Sequence, residues 1–337
     1  MLKCKNKVII PIILSILLSV ISCSCVNKDI QYNVINENYV ILRLAESQFS
    51  NYPSTQGDRE FARLIELKSE GRIRVEVYDS AKLGEEASVI EQVQFGGIDL
   101  ARVNLVSLDQ YVPEIGIMTL PYMFRSSEHM WKVIEGSIGQ SFKESLLKEK
   151  IACLCWYEGG AINFYNSKRD IQNVEDLKGL KISSQHSQPV MDAYPYLGIS
   201  LLSTKSNDIY KSLQKGFIDG VEDNIITYYS SKYYGVAKYV TYDAHSYTPE
   251  LIIASRTTMI QLPQSDQELI EEAAQESAVF QRKIWADMEI EAMEALKIQK
   301  IDITYPSEKY KKEFLAAVKP LYDLVDKETS EAITNTK

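Results

Sequence analysis

The clearest alternation of element types lies in residues 71–105, GRIRVEVYDSAKLGEEASVIEQVQFGGIDLARVNL. Residues 73–77 alternate apolar with charged side chains, which predicts a strand. Residues 89–93 then carry an apolar helical stripe that ends at Gly96, and residues 100–105 return to a strand pattern. This stretch therefore predicts a strand, a helix and a second strand in succession.

The same rhythm extends toward the N-terminus. Residues 40–44 predict a strand, and residues 61–68 predict a helix that Gly71 ends. The resulting order, β-α-β-α-β, predicts a parallel sheet with helices on both faces, since parallel strands need crossover connections.

The second half of the chain repeats these patterns. Strands are predicted at residues 151–156, 180–183, 218–222 and 251–254, and a helix at residues 208–215. Two sheets are more plausible than one very wide sheet.

A long helix is predicted after residue 264. Ser265 and Glu268 have the spacing of a capping box, and an apolar ladder follows with no proline before Pro306. An unbroken helix of about 35 residues would be about 52 Å long, well beyond the roughly 30 Å of a small domain. Such a helix must bend or run along two lobes.

The N-terminus has the features of an export signal. Lys3, Lys5 and Lys7 precede residues 8–21, which are uncharged and almost wholly apolar. This run is shorter than the about 20 residues that cross a bilayer comfortably. We therefore expect the mature chain outside the cytoplasm, in the periplasm.

The export signal ends in residues 20–23, VISC, which resemble the lipobox of bacterial lipoproteins. Residues 1–22 would be removed, Cys23 would be acylated and hold the protein at the membrane, and the polar residues 23–38 would form a flexible tether. Cys25 is a weaker candidate because the residue three places before it is not aliphatic. An ordinary secretory signal is the alternative.

Composition argues against several functions. A net charge of −9 without a basic cluster argues against nucleic acid. Cys153 and Cys155, two apart on a strand, suit a disulfide poorly and are expected to be free thiols. His129, His186 and His245 are widely separated and outside metal-ligand spacing, so no metal, cofactor or enzymatic activity is expected.

Seven short segments carry a resemblance to a known family. They are GRIRVEVY (71–78), LGEE (83–86), LPYMF (120–124), NSKR (166–169), DLKGLKI (176–182), DGVE (219–222) and YYSSKYY (228–234). Each is weak alone, but their order and spacing resemble the DctP-like solute-binding subunit of tripartite ATP-independent periplasmic (TRAP) transporters. The resemblance covers nearly the whole mature chain.

The resemblance implies an α/β fold of two lobes with an interlobe ligand cleft and a long helix along both lobes. Lobe I would comprise residues 39–158 and about 249–285, and lobe II residues 159–248 and about 286–328. The cleft would close over a small-molecule ligand and deliver it to the TRAP membrane subunits without nucleotide. Closure is also a physical need, because burying most of a small ligand requires walls that open for entry.

One departure from the family pattern bears on the ligand. Ser183 stands where the family usually has an arginine that grips a carboxylate, and a second basic position falls near Ile162. Serine offers one neutral donor in place of a planar, permanently charged fork. Glu222 and Asp223 would add negative charge, so we expect an uncharged, apolar or cationic ligand. The alternative is an organic acid clamped by another basic residue such as Arg102.

Further ligand-binding positions follow from the resemblance. They are Glu46, Asn104, Tyr122, Tyr157, Glu158 and Gln185. These positions lie at strand ends and loops, where open α/β sheets place ligands. The carboxylates also suit caps or solvated positions, and Tyr122 also suits the core. For the tyrosine-rich residues 228–247 we favour a packed, partly exposed helix over an aromatic cage.

Two other functional classes remain open from the sequence. Carboxylate pairs at residues 85–86 and 222–223 suit acid–base catalysis, but a solvated turn and a cleft wall explain them more simply. As an alternative to transport, the chain would be an interaction or sensing lipoprotein that keeps the binding fold but delivers no solute. Some TRAP systems that resemble this one pair the binder with a helical-repeat partner lipoprotein.

Overall fold

The computed structural model of the chain describes residues 39–184, 191, 194–323 and 325–337. The predicted signal peptide, the tether and the acylated Cys23 lie outside the described residues, as does Gln185.

Two sheets form the framework, as predicted. The first sheet contains β1 (Val40–Ala45), β2 (Ile73–Tyr78), β3 (Leu100–Asn104), β4 (Ile151–Tyr157) and β10 (Glu250–Ser255), in the spatial order β2-β1-β3-β10-β4. The second contains β5 (Ala161–Asn166), β6 (Lys181–Ser183), β7 (Ser200–Leu202), β8 (Gly220–Asp223), β9 (Tyr239–Tyr247) and β11 (Ile303–Thr304), in the order β11-β9-β5-β8-β6-β7.

The helices pack on these sheets. They are α1 (Pro53–Lys68), α2 (Glu86–Phe95), α3 (Ser127–Ile134), α4 (Ser137–Lys148), α5 (Ser206–Lys215), α6 (Ile225–Ser230), α7 (Arg256–Met259), α8 (Gln264–Ile298), α9 (Glu308–Tyr322) and α10 (Lys327–Asn335). Short 3-10 helices cover Leu105–Leu108, Pro113–Thr119, Val174–Leu177, Tyr194–Leu197 and Tyr233–Gly235. Within the described part of the chain, no helix combines the length and apolarity needed to cross a bilayer.

The prediction of a parallel sheet is right only for part of each sheet. β1 pairs in parallel with β2 and β3, but β10 runs antiparallel to both β3 and β4. The reason lies in two direct crossings between the sheets. The chain leaves the first sheet through residues 158–160 and returns through residues 248–249, so the returning strand β10 opposes the departing strand β4.

Helix α8 is the third connection between the lobes. Its 35 residues span about 52 Å and pack against α1 and β4 of the first lobe and α6 of the second, which confirms the predicted long helix. The predicted capping box at Ser265 is wrong, because the helix begins at Gln264 with Pro263 as its N-cap and without a side-chain cap. Pro263 ends the preceding turn at its fixed φ and places Ser265 inside the first turn.

The tyrosine-rich segment also departs from prediction. Helix α6 ends at Ser230, and residues 239–247 form β9 between β5 and β11 rather than a helix. Tyrosine, valine and threonine at the start of this segment favour strands, and cross-strand pairing reinforces that preference.

Cys153 and Cys155 are free thiols, as expected. Burial raises the pKa of Cys153 to about 12, so both thiols remain protonated and inert at neutral pH.

Candidate ligand-binding site

The polar strand ends of the two sheets meet at the crossings. The carboxyl ends of β1, β3 and β4 share one edge of the first sheet with the start of β10. The carboxyl ends of β6 and β8 share one edge of the second sheet with the start of β5. Because the crossings join these edges, the predicted site residues lie on both sides of the interlobe cleft.

Arg102 is the central charge at the edge of the first sheet, and it is 1% exposed. Its Nε donates to Glu46 at 2.8 Å, and its Nη2 donates to Glu46 and to Ser47. Its Nη1 donates at 3.2 Å to both Glu86 and Glu250. These contacts use the five N–H groups of the guanidinium.

Arg102 is therefore unsuited to the carboxylate clamp that the sequence left open as an alternative. Three carboxylates already surround its single positive charge. Burial raises the pKa of Glu250 to about 7, despite the nearby Arg102. Burial and the neighbouring Glu46 raise the pKa of Asp58 well above its usual range. A ligand carboxylate would compete with these buried acids for one cation.

Asn104 lies at the end of β3, as expected. Its side-chain oxygen accepts from the Val106 N–H at 3.0 Å, and its own N–H donates to Glu86 at 3.1 Å. Its side-chain oxygen thus caps the following 3-10 helix at the cleft edge.

Glu158 holds the first crossing in place. Its Oε1 accepts from the Gly160 N–H, and its Oε2 accepts from Ser127 and from the Trp131 indole N–H at 2.7 Å each. Gln281 of α8 bonds both the N–H and the carbonyl of the Glu158 backbone. These contacts make Glu158 a structural joint between the crossing and α8.

Tyr157 also has structural contacts. Its ring is buried in the core between α1 and α8, and its hydroxyl lies 2.9 Å from the Ser277 hydroxyl.

The glycines of the first crossing allow close approach of other groups. A Cβ at Gly159 would lie 1.9 Å from the Thr248 carbonyl oxygen of the second crossing. A Cβ at Gly160, whose φ is +80°, would lie 2.6 Å from the Trp285 ring. The crossings and α8 therefore pack together at one joint, which fits a hinge.

Four predicted residues come together at the edge of the second sheet. Ser183 pairs with Val221 on β8, beside Glu222 and Asp223, and β5 lies on the other side of β8 with Ile162 near its start. The Ser183 side chain is almost wholly buried, and burial raises the pKa of Asp223 to about 7. β5 and β8 carry no arginine or lysine.

A buried histidine lies in the same lobe and was not predicted as part of the site. His245 contacts Asp243 at 2.9 Å and Glu222 at 3.7 Å, and it stacks on Phe164 with ring centroids 4.3 Å apart. Burial opposes its charged form, yet the carboxylates, Asp243 foremost, raise the pKa of His245. Carboxylates of its own lobe thus favour its protonated form.

Tyr122 joins this network. Its N–H donates to the His245 carbonyl at 2.6 Å, and its hydroxyl donates to Asp243 at 3.4 Å. Its φ of +59° is uncommon for a residue with a side chain, and the contacts on both ends hold it there.

Tyr52 connects the lobes across the cleft. This residue precedes α1, and its hydroxyl accepts from Asn224 at 3.0 Å and lies 3.1 Å from the Thr227 hydroxyl. Both partners belong to the β8–α6 region of the second lobe. Sequence patterns gave no signal for Tyr52, because its partners are remote in the chain.

Two α/β lobes, three connections and facing polar strand ends define a two-lobe solute-binding protein. Residues 44–328 match the family described as bacterial extracellular solute-binding protein, family 7, called DctP, and the chain belongs to this family. A solute-binding protein of Chromohalobacter salexigens is 30% identical over 275 residues, which cover 81% of each chain.

Solved structures support the same conclusion. A TRAP periplasmic solute-binding protein of Xanthobacter autotrophicus, with bound β-D-galacturonate, is 29% identical, with a TM-score of 0.81 over 88% of this chain and 98% of that chain. One of Chromohalobacter salexigens, with bound D-glucuronate, is 27% identical, with a TM-score of 0.84 over 88% and 100%. The family and these neighbours are solute-binding proteins rather than enzymes. Their sugar acids oppose the expectation of a ligand without a carboxylate.

Proposed function

We propose that this chain captures a small solute outside the cytoplasm and delivers it to TRAP membrane subunits, and that it holds this solute without a carboxylate clamp. Membership in the family supports the first part. The observation that carries the second part is that Arg102 already bonds three carboxylates of its own lobe.

The charge balance of the described cleft edges favours a neutral or cationic ligand. Ser183 supplies a neutral donor at the family's arginine position, and Asp223 lies one strand away. An anionic ligand would meet acidic groups whose pKa values are already raised by burial. A polar neutral or amine-bearing ligand would instead bond these carboxylates without that repulsion.

A sugar acid is the second candidate ligand, and the two solved relatives that hold uronates favour it. In that case the carboxylate would need neutral donors such as Ser183 and Ser184, or His186, which lies outside the described residues.

A ligand series tests the choice. D-glucuronate, D-glucose and D-glucosamine share a pyranose ring and are negative, neutral and positive at neutral pH. Calorimetric titration of the purified chain should show that glucuronate binds no more tightly than glucose, so that its carboxylate gives no gain in affinity. Tighter binding of glucuronate than of glucose would support the sugar acid instead.

A gain-of-function variant sharpens this test. Ser183→Arg restores the family's arginine and should increase glucuronate affinity by about tenfold, since a charge-assisted bond is worth about 1.5–3 kcal/mol. Ser200→Arg, at an exposed position on the neighbouring strand β7 and at the other end of the β6–β7 pair, is the matched control and should give no comparable gain. If Ser183→Arg leaves glucuronate affinity unchanged, position 183 does not face the ligand.

The lipid anchor is part of the same proposal. Cys23 follows an aliphatic and small stretch at the end of the signal, and Cys23→Ala should abolish fatty-acid labelling. Label retained in that variant would place the anchor at Cys25 or elsewhere. The helical-repeat partner lipoprotein stays a prediction, and co-purification from membranes would test it.

A further inference from the structure

The last two helices of the described chain contact different lobes. α9 packs against the 3-10 helices Val174–Leu177 and Tyr194–Leu197 of the second lobe. α10 lies instead on α4, which packs on β4 of the first sheet. Only residues 323–326 separate the two helices. Residues 308–335 therefore form a strap from the second lobe to the first, in addition to the two crossings and α8.

Two side chains hold the end of α10 on the first lobe. The Arg125 guanidinium donates to the carbonyls of Thr334 and Thr336 at 2.6 Å each. His129 of α3 is 4% exposed, and its Nε2 lies 2.9 Å from the Ile333 carbonyl oxygen. Because the last carbonyls of a helix have no partner within the helix, these contacts both satisfy them and fasten the strap.

The two ring nitrogens of His129 have different roles. Nδ1 accepts from the Arg125 backbone N–H at 3.1 Å, so this nitrogen carries no proton. The proton of the neutral ring is therefore on Nε2, which donates to the Ile333 carbonyl. Only this neutral tautomer makes both bonds. A second proton, on Nδ1, would face the Arg125 N–H and remove its acceptor.

The surroundings of His129 disfavour its charged form. Burial is the main cause that lowers the pKa of His129, and the positive charges of Arg125 and Lys132 lower it further, while the Ile333 carbonyl opposes them. Lys132 is paired with Glu128 at 2.8 Å. The charged residues near the contact on α4 and α10 lie at exposed or half-exposed positions, and they are Lys143, Glu144, Lys148, Lys327, Glu328 and Glu331. Among the described residues, no carboxylate pairs with the His129 ring.

We propose that His129 is a pH-sensitive latch, whose neutral ring pins α10 to the first lobe and whose protonation in mild acid releases α10 and frees the strap. The latch also bears on the hinge. α3 carries Ser127 and Trp131, whose bonds hold Glu158 at the first crossing. Release of α10 thus removes a support from the helix that holds this joint. The latch does not depend on which ligand the cleft takes.

The direction of the pH effect follows from linkage. In the released state the His129 ring is solvated, and its pKa returns to the ordinary value of 6.5, whereas the pKa of the docked ring is lower. The released state therefore binds the proton more tightly, so docking of α10 weakens as pH falls below about 6.5.

The start of α10 does not titrate in the same range. Asp326 accepts from the Thr329 N–H at 2.7 Å, and this bond lowers the pKa of the Asp326 carboxyl below its usual value of 3.8. This cap therefore stays ionised in mild acid. The buried acids Glu250 and Asp223, whose pKa values are raised, act on global stability in the opposite direction. A local measurement on α10 is thus needed.

Hydrogen–deuterium exchange of the full chain provides that measurement. Protection factors of residues 327–335, corrected for the intrinsic exchange rate at each pH, should be about tenfold lower at about pH 5 than at about pH 7.5, since one pKa unit corresponds to a tenfold change. Helix α5, which packs in the second lobe, is the internal control and should keep its protection.

Two variants separate the latch from a merely structural contact. His129→Gln keeps an N–H donor for the Ile333 carbonyl but does not titrate, so α10 should remain protected at both pH values. Arg125→Gln is the matched control, because it removes the bonds to Thr334 and Thr336 without removing the titrating ring. It should lower the protection of α10 at both pH values and leave the drop in acid in place.

Equal protection of α10 at the two pH values in the parent chain would overturn the proposal. A drop in acid that persists in His129→Gln would also overturn it, because another group would then be responsible. Nitrogen-15 NMR of the histidine rings in the parent chain gives a test that needs no variant. The ring of His129 should carry its proton on Nε2 at neutral pH, and a proton on Nδ1 instead would contradict the latch.

Discussion

Arg102 is the positive charge that balances the buried carboxylates at the cleft edge of the first lobe. It is buried with Glu46, Glu86 and Glu250 as acceptors, and each of these acids depends on it for a counter-charge. Removing one partner of a buried ion pair leaves the others unpaired at low dielectric, which is far more costly than breaking a surface pair.

We therefore expect Arg102→Met to lower the free energy of unfolding by about 3–5 kcal/mol in urea denaturation. Arg43→Met is the matched control on the neighbouring strand. Arg43 is half exposed and pairs with Asp99 at 3.5 Å, so its loss should cost less than about 1 kcal/mol. Similar costs for both variants would show that the carboxylates do not depend on Arg102.

The buried acids also predict how stability changes with pH. Burial raises the folded-state pKa of Glu250 from 4.5 to about 7 and that of Asp223 from 3.8 to about 7. The pKa of His245 is raised from 6.5, because its carboxylate partners outweigh its burial. For each group the folded state binds its proton more tightly than the unfolded state, so stability falls as pH rises through the folded-state pKa.

The free energy of unfolding should thus decrease between about pH 5 and pH 8, as measured by urea titrations at fixed ionic strength. Glu250→Gln removes one ionising group while keeping an acceptor for Arg102, and it should flatten this decrease. Glu91→Gln, at an exposed position of α2, should leave the slope as it is. A decrease that persists undiminished in Glu250→Gln would assign it to other groups.

At the level of the connecting segments, the first crossing (residues 158–160) leaves little room for added side-chain atoms. Gly160→Ala combines a positive φ with a 2.6 Å approach to the Trp285 ring. We expect a loss of about 2–4 kcal/mol, part from the backbone and part from the overlap.

Gly179→Ala isolates the backbone part. Its φ is +76°, and no atom within 4 Å of the added Cβ belongs to the described residues. Thermal unfolding of both variants should show the smaller loss, about 1–2 kcal/mol, for Gly179→Ala. Equal losses of stability in the two variants would mean that the Trp285 ring moves aside without a loss of stability.

The strands and helices differ in how well the sequence predicts them. The order from β1 to β3 is predictable because each element has its own period of apolar residues and its own stop signal, such as Gly96, which ends α2 at a φ of +79°. The sequence pattern does not predict β5, because this strand is buried on both faces and its apolar and polar residues do not alternate. The insertion of β10 between β3 and β4 depends on pairing between remote residues, which periodicity does not contain.

The candidate site is predictable to a similar extent. Strand ends correctly indicate the edges where Glu46, Asn104 and Ser183 lie, because parallel strands expose their carboxyl ends together. Which way a side chain points beyond a strand end depends on the local turn. Glu158, just beyond the end of β4, bonds the backbone of the crossing, whereas Tyr157, the last residue of β4, enters the core.

For the molecule as a whole, Tyr52 is a hydrogen-bonded contact between the two lobes. Tyr52→Phe keeps the buried ring but removes the hydroxyl that meets Asn224 and Thr227 in the other lobe. We expect a larger radius of gyration in small-angle scattering without ligand, since each hydrogen bond contributes about 0.5–1.5 kcal/mol.

Tyr228→Phe is the control for this comparison. Its hydroxyl donates to the Ala237 carbonyl inside the second lobe, so its loss should affect stability but not the separation of the lobes. An unchanged radius of gyration in Tyr52→Phe would show that the arrangement of the two lobes does not depend on this hydroxyl.

The central position of β10 in the first sheet has a consequence for biogenesis. β3 and β4 do not pair with each other, and both pair instead with residues 250–255, which are synthesised long after them. Until then their backbone groups form unpaired edges, which favour aggregation. The first sheet is therefore complete only once residues 250–255 have been made, and two of its strand edges stay open until then.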